Sequence, residues 1–264
     1  MKNIRGYIKY IYRYRYFWMY LARCDLIARY RRSKLGMVWM MMSPLLLTII
    51  MSFVLGTAFA YPIASYAPYI LAGMVTWDFI SVSTVANGMT FISCDSYIRQ
   101  FDHPVSIYTL KATVVAFINL LISMIGFVIW ALFMNPLNVA LGLLTLPLTL
   151  VIFFLLGWAL ATIAAFTNTK YRDYPQMMVL VVQAIWYLSP VFFQESMFMA
   201  NDALRTWFNL NPITHLLSLL RNPFIYGALP SATDYAFSIG FVLILGLFAI
   251  RINKKDAKQM IFYL

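Results

Sequence analysis

His103 and His215 are the only histidines in this chain, Cys24 and Cys94 the only cysteines, and the carboxylates number nine. Catalysis or metal binding needs such groups to converge, and their spacing gives no sign of that. There is no His-Glu-x-x-His, no Cys-x-x-Cys and no Gly-x-Ser-x-Gly. The dipeptide Gly-Lys is also missing, so there is no Walker A loop, and any ATP that drives this protein must be bound by another chain. The expectation is a chain that is not an enzyme, with no catalytic residue, no metal and no cofactor of its own.

Among the carboxylates, Asp78 alone falls well inside an apolar stretch. A charge at the centre of a bilayer costs about 2.5 to 3.5 kcal/mol on the insertion scale. Asp78 is therefore either a cavity-facing functional group or a buried partner of a Ser or Thr. One carboxylate makes a poor relay, which weakens the reading as an ion-coupled carrier.

The elements that carry these residues follow from composition. The chain is 62% hydrophobic and 11% charged, whereas soluble domains carry about a quarter charged residues. Eighteen of its twenty Lys and Arg lie in four segments between long apolar runs: residues 1–34, the connection with Arg99 and Lys111, the pair Lys170 and Arg172, and the tail from Arg251. Positive residues near span ends stay on the cytoplasmic side. Six spans result, at about 35–61, 66–92, 112–134, 139–166, 177–193 and 235–250, with both termini inside. The connections are too short for a separate catalytic domain, which needs about 50 residues, so residues 1–264 form one transmembrane domain.

The expected class is an all-α integral membrane protein. Tyr7, Ile11, Tyr14, Trp18 and Leu21 recur at helical spacing beside the basic stripe Arg5, Lys9 and Arg13, which predicts an amphipathic helix in the membrane surface within a cytoplasmic interfacial region, 1–34. The bland reading is a positive-inside anchor. A net charge of +11 could suggest nucleic acid, but basic residues that flank spans point to anionic lipid headgroups. Residues 194–232 are too broken to cross and are predicted as short helices re-entering the outer leaflet, and residues 251–264 as a cytoplasmic tail. The second span, with Thr76, Asp78, Ser81 and Asn87, is polar enough to face protein or an aqueous path rather than lipid. Phe, Tyr and Trp make up 17% of the chain. Many of these are interfacial belt residues, although Tyr and Trp also offer flat faces on which a sugar ring can stack.

The stretch Arg29-Tyr-Arg-Arg-Ser-Lys-Leu-Gly36 with Trp39 and Ser43-Pro44-Leu45 resembles the start of the membrane subunit of ABC transporters that export polysaccharides. Gly73-Met-Val-Thr-Trp77-Asp-Phe79, Tyr171-Arg172-Asp173, Asn209-Leu-Asn-Pro212 and Arg221-Asn-Pro223 are similar to later motifs of that family, in the same order. The resemblance implies a homodimer of six-helix subunits bound to two copies of a separate ATPase, which carries the ATP and Mg. The cargo it implies is a lipid-linked O-antigen, capsule or teichoic-acid-like polymer. Of the three, O-antigen comes first and capsule next. Under that resemblance Arg29, Arg31, Arg32, Arg99, Phe101, Tyr171, Arg172 and Asp173 are candidate contacts to the ATPase, while Trp77, Asp78, Asn87, Tyr187 and Asn211 are candidates for the translocation path. The location implied is the bacterial inner membrane. A drug- or lipid-exporting ABC permease is the runner-up, and an ion-coupled carrier or a membrane-bound glycosyl- or acyltransferase trails both.

Overall fold

The computed structural model describes residues 11–264 except 32, 102, 195, 197–200, 258–259 and 261–262. Residues 1–10, and with them the start of the predicted surface helix, lie outside the described residues, as does Arg32. Every regular element among the described residues is helical. In chain order these are α1 (Arg15–Tyr30), α2 (Val38–Ala58), α3 (Ile63–Thr84), a tight turn (Ala86–Met89), α4 (Thr90–Ser93), α5 (Asp95–Gln100), α6 (Ser106–Met134) and α7 (Pro136–Lys170). Then follow α8 (Tyr174–Leu188), α9 (Asp202–Leu210), α10 (Pro212–Arg221), a wide π turn (Asn222–Tyr226) and α11 (Ala232–Asp256).

Five segments are long and apolar enough to cross a membrane: Val38–Ala58, Ile63–Ser93, Ser106–Met134, Pro136–Lys170 and Ala232–Asp256. The sixth predicted span is represented by α8, whose 15 residues reach about 22 Å at 1.5 Å per residue, short of a ~30 Å hydrocarbon core. It ends before Ser189 and Pro190, whose ring cannot continue a helix. α6 starts at Ser106, so Lys111 lies in its second turn and is buried, rather than in the connection where the charge pattern alone puts it. α3 ends at Thr84 and the chain turns through Asn87 and Gly88, which divides the predicted second span.

The core is built around α3, α6, α7 and α10, with Val242 of α11 completing it. Interior packing in a bilayer relies on small residues that let large ones approach. Phe79 of α3 seats over Gly157 of α7, and Phe224 of the π turn seats over Gly142 near the start of the same helix. Asn138 donates to the Ile225 carbonyl at 3.0 Å, fixing that turn against α7. The tight link between α6 and α7 comes from Asn135 leaving the helical region and Pro136 starting the next helix with its ring-fixed φ. Pro44 sits within α2 and is buried there.

A smaller cluster closes the opposite end of the bundle, with Leu21, Phe91, Cys94, Ile98, Tyr108, Phe166 and Met260. Through it α1, α5, the end of α7 and the tail share one surface. Asn253 of α11 also donates to the Ser106 hydroxyl at the start of α6.

Candidate functional site

α7 separates two ends of the molecule, with Asn135 before its first residue and Tyr171 after its last. At the Tyr171 end lie the described residues among the predicted ATPase contacts, on α1, on α5 and just after it, and on the turn after α7. Phe17 of α1 meets Tyr97, Phe101 and His103 at ring separations of 6.3, 6.3 and 4.9 Å, which docks α5 and its Arg99 on α1. Arg99 is exposed and pairs with Asp95 at 2.6 Å, an i,i+4 bridge within α5. Tyr171, Arg172 and Asp173 form the exposed turn from α7 to α8, and an Arg172 guanidinium nitrogen lies 3.5 Å from the Tyr263 carbonyl. Arg29 and Arg31 are exposed at the end of α1.

α1 is anchored to the bundle by a pair that the sequence reading missed. The Lys111 ammonium is 2.5 Å from an Asp25 carboxylate oxygen and 3.6 Å from the Cys94 sulfur. The lysine is buried and the aspartate half-exposed.

The predicted path residues are not brought together as one lining. Trp77 is buried in a cluster with Val182 and Ile213. Asn211 is buried and consumed structurally: its oxygen accepts from the Ile213 amide as the cap of α10, and its amide donates to Ser189. Asn87 is buried in the turn after α3, and Tyr187 is exposed beside Trp186 and Phe192. Asp78 is the exposed position on an otherwise buried run of α3, six residues before that helix ends. It makes no hydrogen bond with a described Ser or Thr, and Arg29 of α1 is near enough to act on its charge.

At the Asn135 end, Arg221 gathers three backbone carbonyls. Its guanidinium donates to Pro190 at 2.6 Å, Val191 at 2.7 Å and Tyr69 at 3.1 Å, and lies 3.5 Å above the Tyr69 ring. The Tyr66 hydroxyl donates to Phe192 at 2.6 Å, and the Tyr69 hydroxyl to Phe193 at 2.8 Å. Together the three side chains hold residues 190–193 where α8 has stopped, satisfying carbonyls that would otherwise be buried without partners. Gly73 makes room for this strap, because a Cβ there would collide with the Val191 carbonyl. Arg221 is one of the two basic residues outside the four charged segments, and that isolation was the available signal.

A second polar knot joins α10 to α11. Asp234 caps α11 with Ser231 in a reciprocal box, bonds His215 at 2.8 Å and accepts from Asn222 at 3.3 Å. The His215 ring stacks on Phe237, with centroids 4.3 Å apart. Beside the strap lies a cavity of about 550 Å³, lined in part by Ser65, Tyr69, Asn135, Gln194, Ser196 and Tyr226. No group of three potential metal ligands occurs among the described residues.

The residues from 16 to 225 match the family model described as ABC-2 type transporter. The chain belongs to the ABC-2 type transporter family. Its relatives include two proteins named O-antigen export system permease protein RfbA from Klebsiella pneumoniae. One is 22% identical over 78% of this chain and 78% of its own length, the other 23% identical over 84% and 86%. A protein of the same name from Myxococcus xanthus is 21% identical over 85% of this chain and 86% of its own. Membership of this family, together with the long apolar helices, makes the chain a multi-pass membrane transport protein.

Proposed function

We propose that this chain is the membrane-spanning subunit of an ATP-driven exporter that moves a lipid-linked cell-surface polysaccharide across the bacterial inner membrane, with O-antigen as the first candidate and capsule the next. The observation that carries the reading is the alignment of relatives named O-antigen export permeases over most of the chain.

In this reading two copies related by a two-fold axis wall the path, since one bundle with a single polar span cannot enclose a glycan alone. ATP and Mg reside on two partner ATPase subunits. The face formed by α1, α5 and the Tyr171–Asp173 turn receives those subunits, and its position at one end of the long helices supports that role. Both termini lie in the cytoplasm, by the charge rule. The basic and aromatic face of α1 and the residues just before it, where Tyr12, Tyr16 and Tyr20 are exposed, rests on anionic lipid. α9 and α10 dip into the outer leaflet. Neither copy supplies a catalytic group.

The test is affinity purification of the tagged chain from membranes in mild detergent. A Walker-containing ATPase eluting at one-to-one stoichiometry is the expected result. A chain that elutes alone, in an active transport preparation, overturns the ATP-driven reading.

A further inference from the structure

The cavity beside the Arg221 strap is assembled from four separated stretches: the start of α3, the α6–α7 link, the segment after Phe193 and the π turn. Its volume of about 550 Å³ falls in the range of about 300 to 1,000 Å³ typical of ligand pockets. What distinguishes it is the chemistry of the lining. Ser65, Asn135, Gln194 and Ser196 contribute hydroxyls and amides, Tyr226 a half-exposed ring, and no Lys, Arg, Asp or Glu among the described residues lines it. The side chains of Asn135 and Gln194 make no hydrogen bond to any described residue. The nearby Arg221 guanidinium is turned to the carbonyls of the strap.

Among the described lining residues an anionic headgroup would find no cation to answer it. A neutral polyhydroxyl ligand would find what it needs. Each carboxamide offers both donors and an acceptor, which matches neighbouring sugar hydroxyls, and the aromatic face of Tyr226 suits the apolar side of a pyranose ring. We infer that this cavity is a saccharide subsite, which binds a neutral stretch of the exported glycan at the Asn135 end of each subunit. The inference rests on the export reading and adds a contact site on the side opposite the ATPase face.

The experiment uses the full chain with its co-purified ATPase in nanodiscs of phosphatidylethanolamine and phosphatidylglycerol. The probe is oligosaccharide released by mild acid from the surface polysaccharide of the cells that carry the gene, followed by saturation-transfer NMR. Sugar ring protons should receive saturation, and Asn135→Ala with Gln194→Ala should weaken binding about tenfold, as expected for the loss of two hydrogen bonds. Tyr226→Leu should weaken it independently, while Leu144→Ala, on an exposed apolar position of α7, should not. Unchanged sugar affinity in the monodisperse pocket variants overturns the subsite. So does saturation reaching lipid glycerol protons and not sugar.

Surface polymer in a deletion strain complemented with the wild-type gene is scored in parallel. Polymer restored alongside unchanged affinity in the pocket variants removes the subsite and leaves export standing. No polymer from the wild-type gene removes the basis of both.

Discussion

The Lys111 ammonium, buried in the second turn of α6, lies 2.5 Å from the half-exposed Asp25 carboxylate of α1. The two partners are not equivalent. Removing Asp25 leaves a buried cation, and leaving a buried polar group unanswered costs about 1 to 3 kcal/mol, more for a charge. Removing Lys111 returns a carboxylate that water already reaches. Asp25→Ala should therefore lower the melting temperature in detergent more than Lys111→Met, and Lys111→Met should rescue Asp25→Ala. Equal losses, without rescue, would sink this account.

Two glycines should respond oppositely to alanine. At Gly73 a Cβ meets the Val191 carbonyl and the Arg221 guanidinium, whereas at Gly246 nothing lies within 4 Å. In α11, alanine gains about 0.5 to 1 kcal/mol of helix preference over glycine. Gly246→Ala should fold as well as or better than wild type, and Gly73→Ala should lose folded protein on size-exclusion chromatography. A well-folded Gly73→Ala chain would mean that the strap can move aside.

The Arg221 fork is specific to its planar geometry. Lysine keeps the charge but cannot reach three carbonyls while stacking on Tyr69. Val191 is fully buried beneath it. A Val191→Cys thiol should resist a membrane-impermeant maleimide in the wild-type background and become reactive when combined with Arg221→Lys. Protection in both backgrounds would show that the tyrosines hold the strap without the arginine.

The long helices were legible because hydropathy is a local property of the chain. Lys111 reads as loop because a lone lysine looks like a span end, and its burial depends on Asp25, eighty-six positions earlier. Asn87 and Gly88 mark the end of α3, but the apolar residues on either side hide that signal in a hydropathy pattern. Asp78 stands out in the sequence as a carboxylate within an apolar stretch, yet its exposure depends on which face of α3 the other helices leave open. Trp77 and Asn211 are path candidates under the resemblance, and within this chain the first lies in a packed cluster and the second caps α10. The strap and the cavity join segments far apart in sequence, so no local pattern announces them, whereas the Ser231-x-x-Asp234 cap of α11 is a local pattern.

Asp234 gives a graded test of the knot between α10 and α11. Ser231→Ala removes one cap, a loss of about 1 kcal/mol. Asp234→Ala removes the reciprocal cap and also strips His215 and Asn222 of their shared acceptor. It should therefore destabilise clearly more than Ser231→Ala, and the excess should shrink when His215 is already replaced by Phe. Additive effects of the Asp234 and His215 substitutions would place the two residues in separate networks.

Orientation rests on α7. Its 35 residues extend about 50 Å at 1.5 Å per residue, well beyond a ~30 Å core, so the residues just before and after it belong on opposite sides. With Cys24 replaced by Ser and buried Cys94 left in place, single thiols at Asn135→Cys and Tyr171→Cys report the two sides. An impermeant maleimide applied to spheroplasts should label Asn135→Cys at once, and Tyr171→Cys only after permeabilisation. The reverse order would invert the topology and move the ATPase face to the wrong side of the membrane. Labelling of both in sealed cells would mean that α7 does not span.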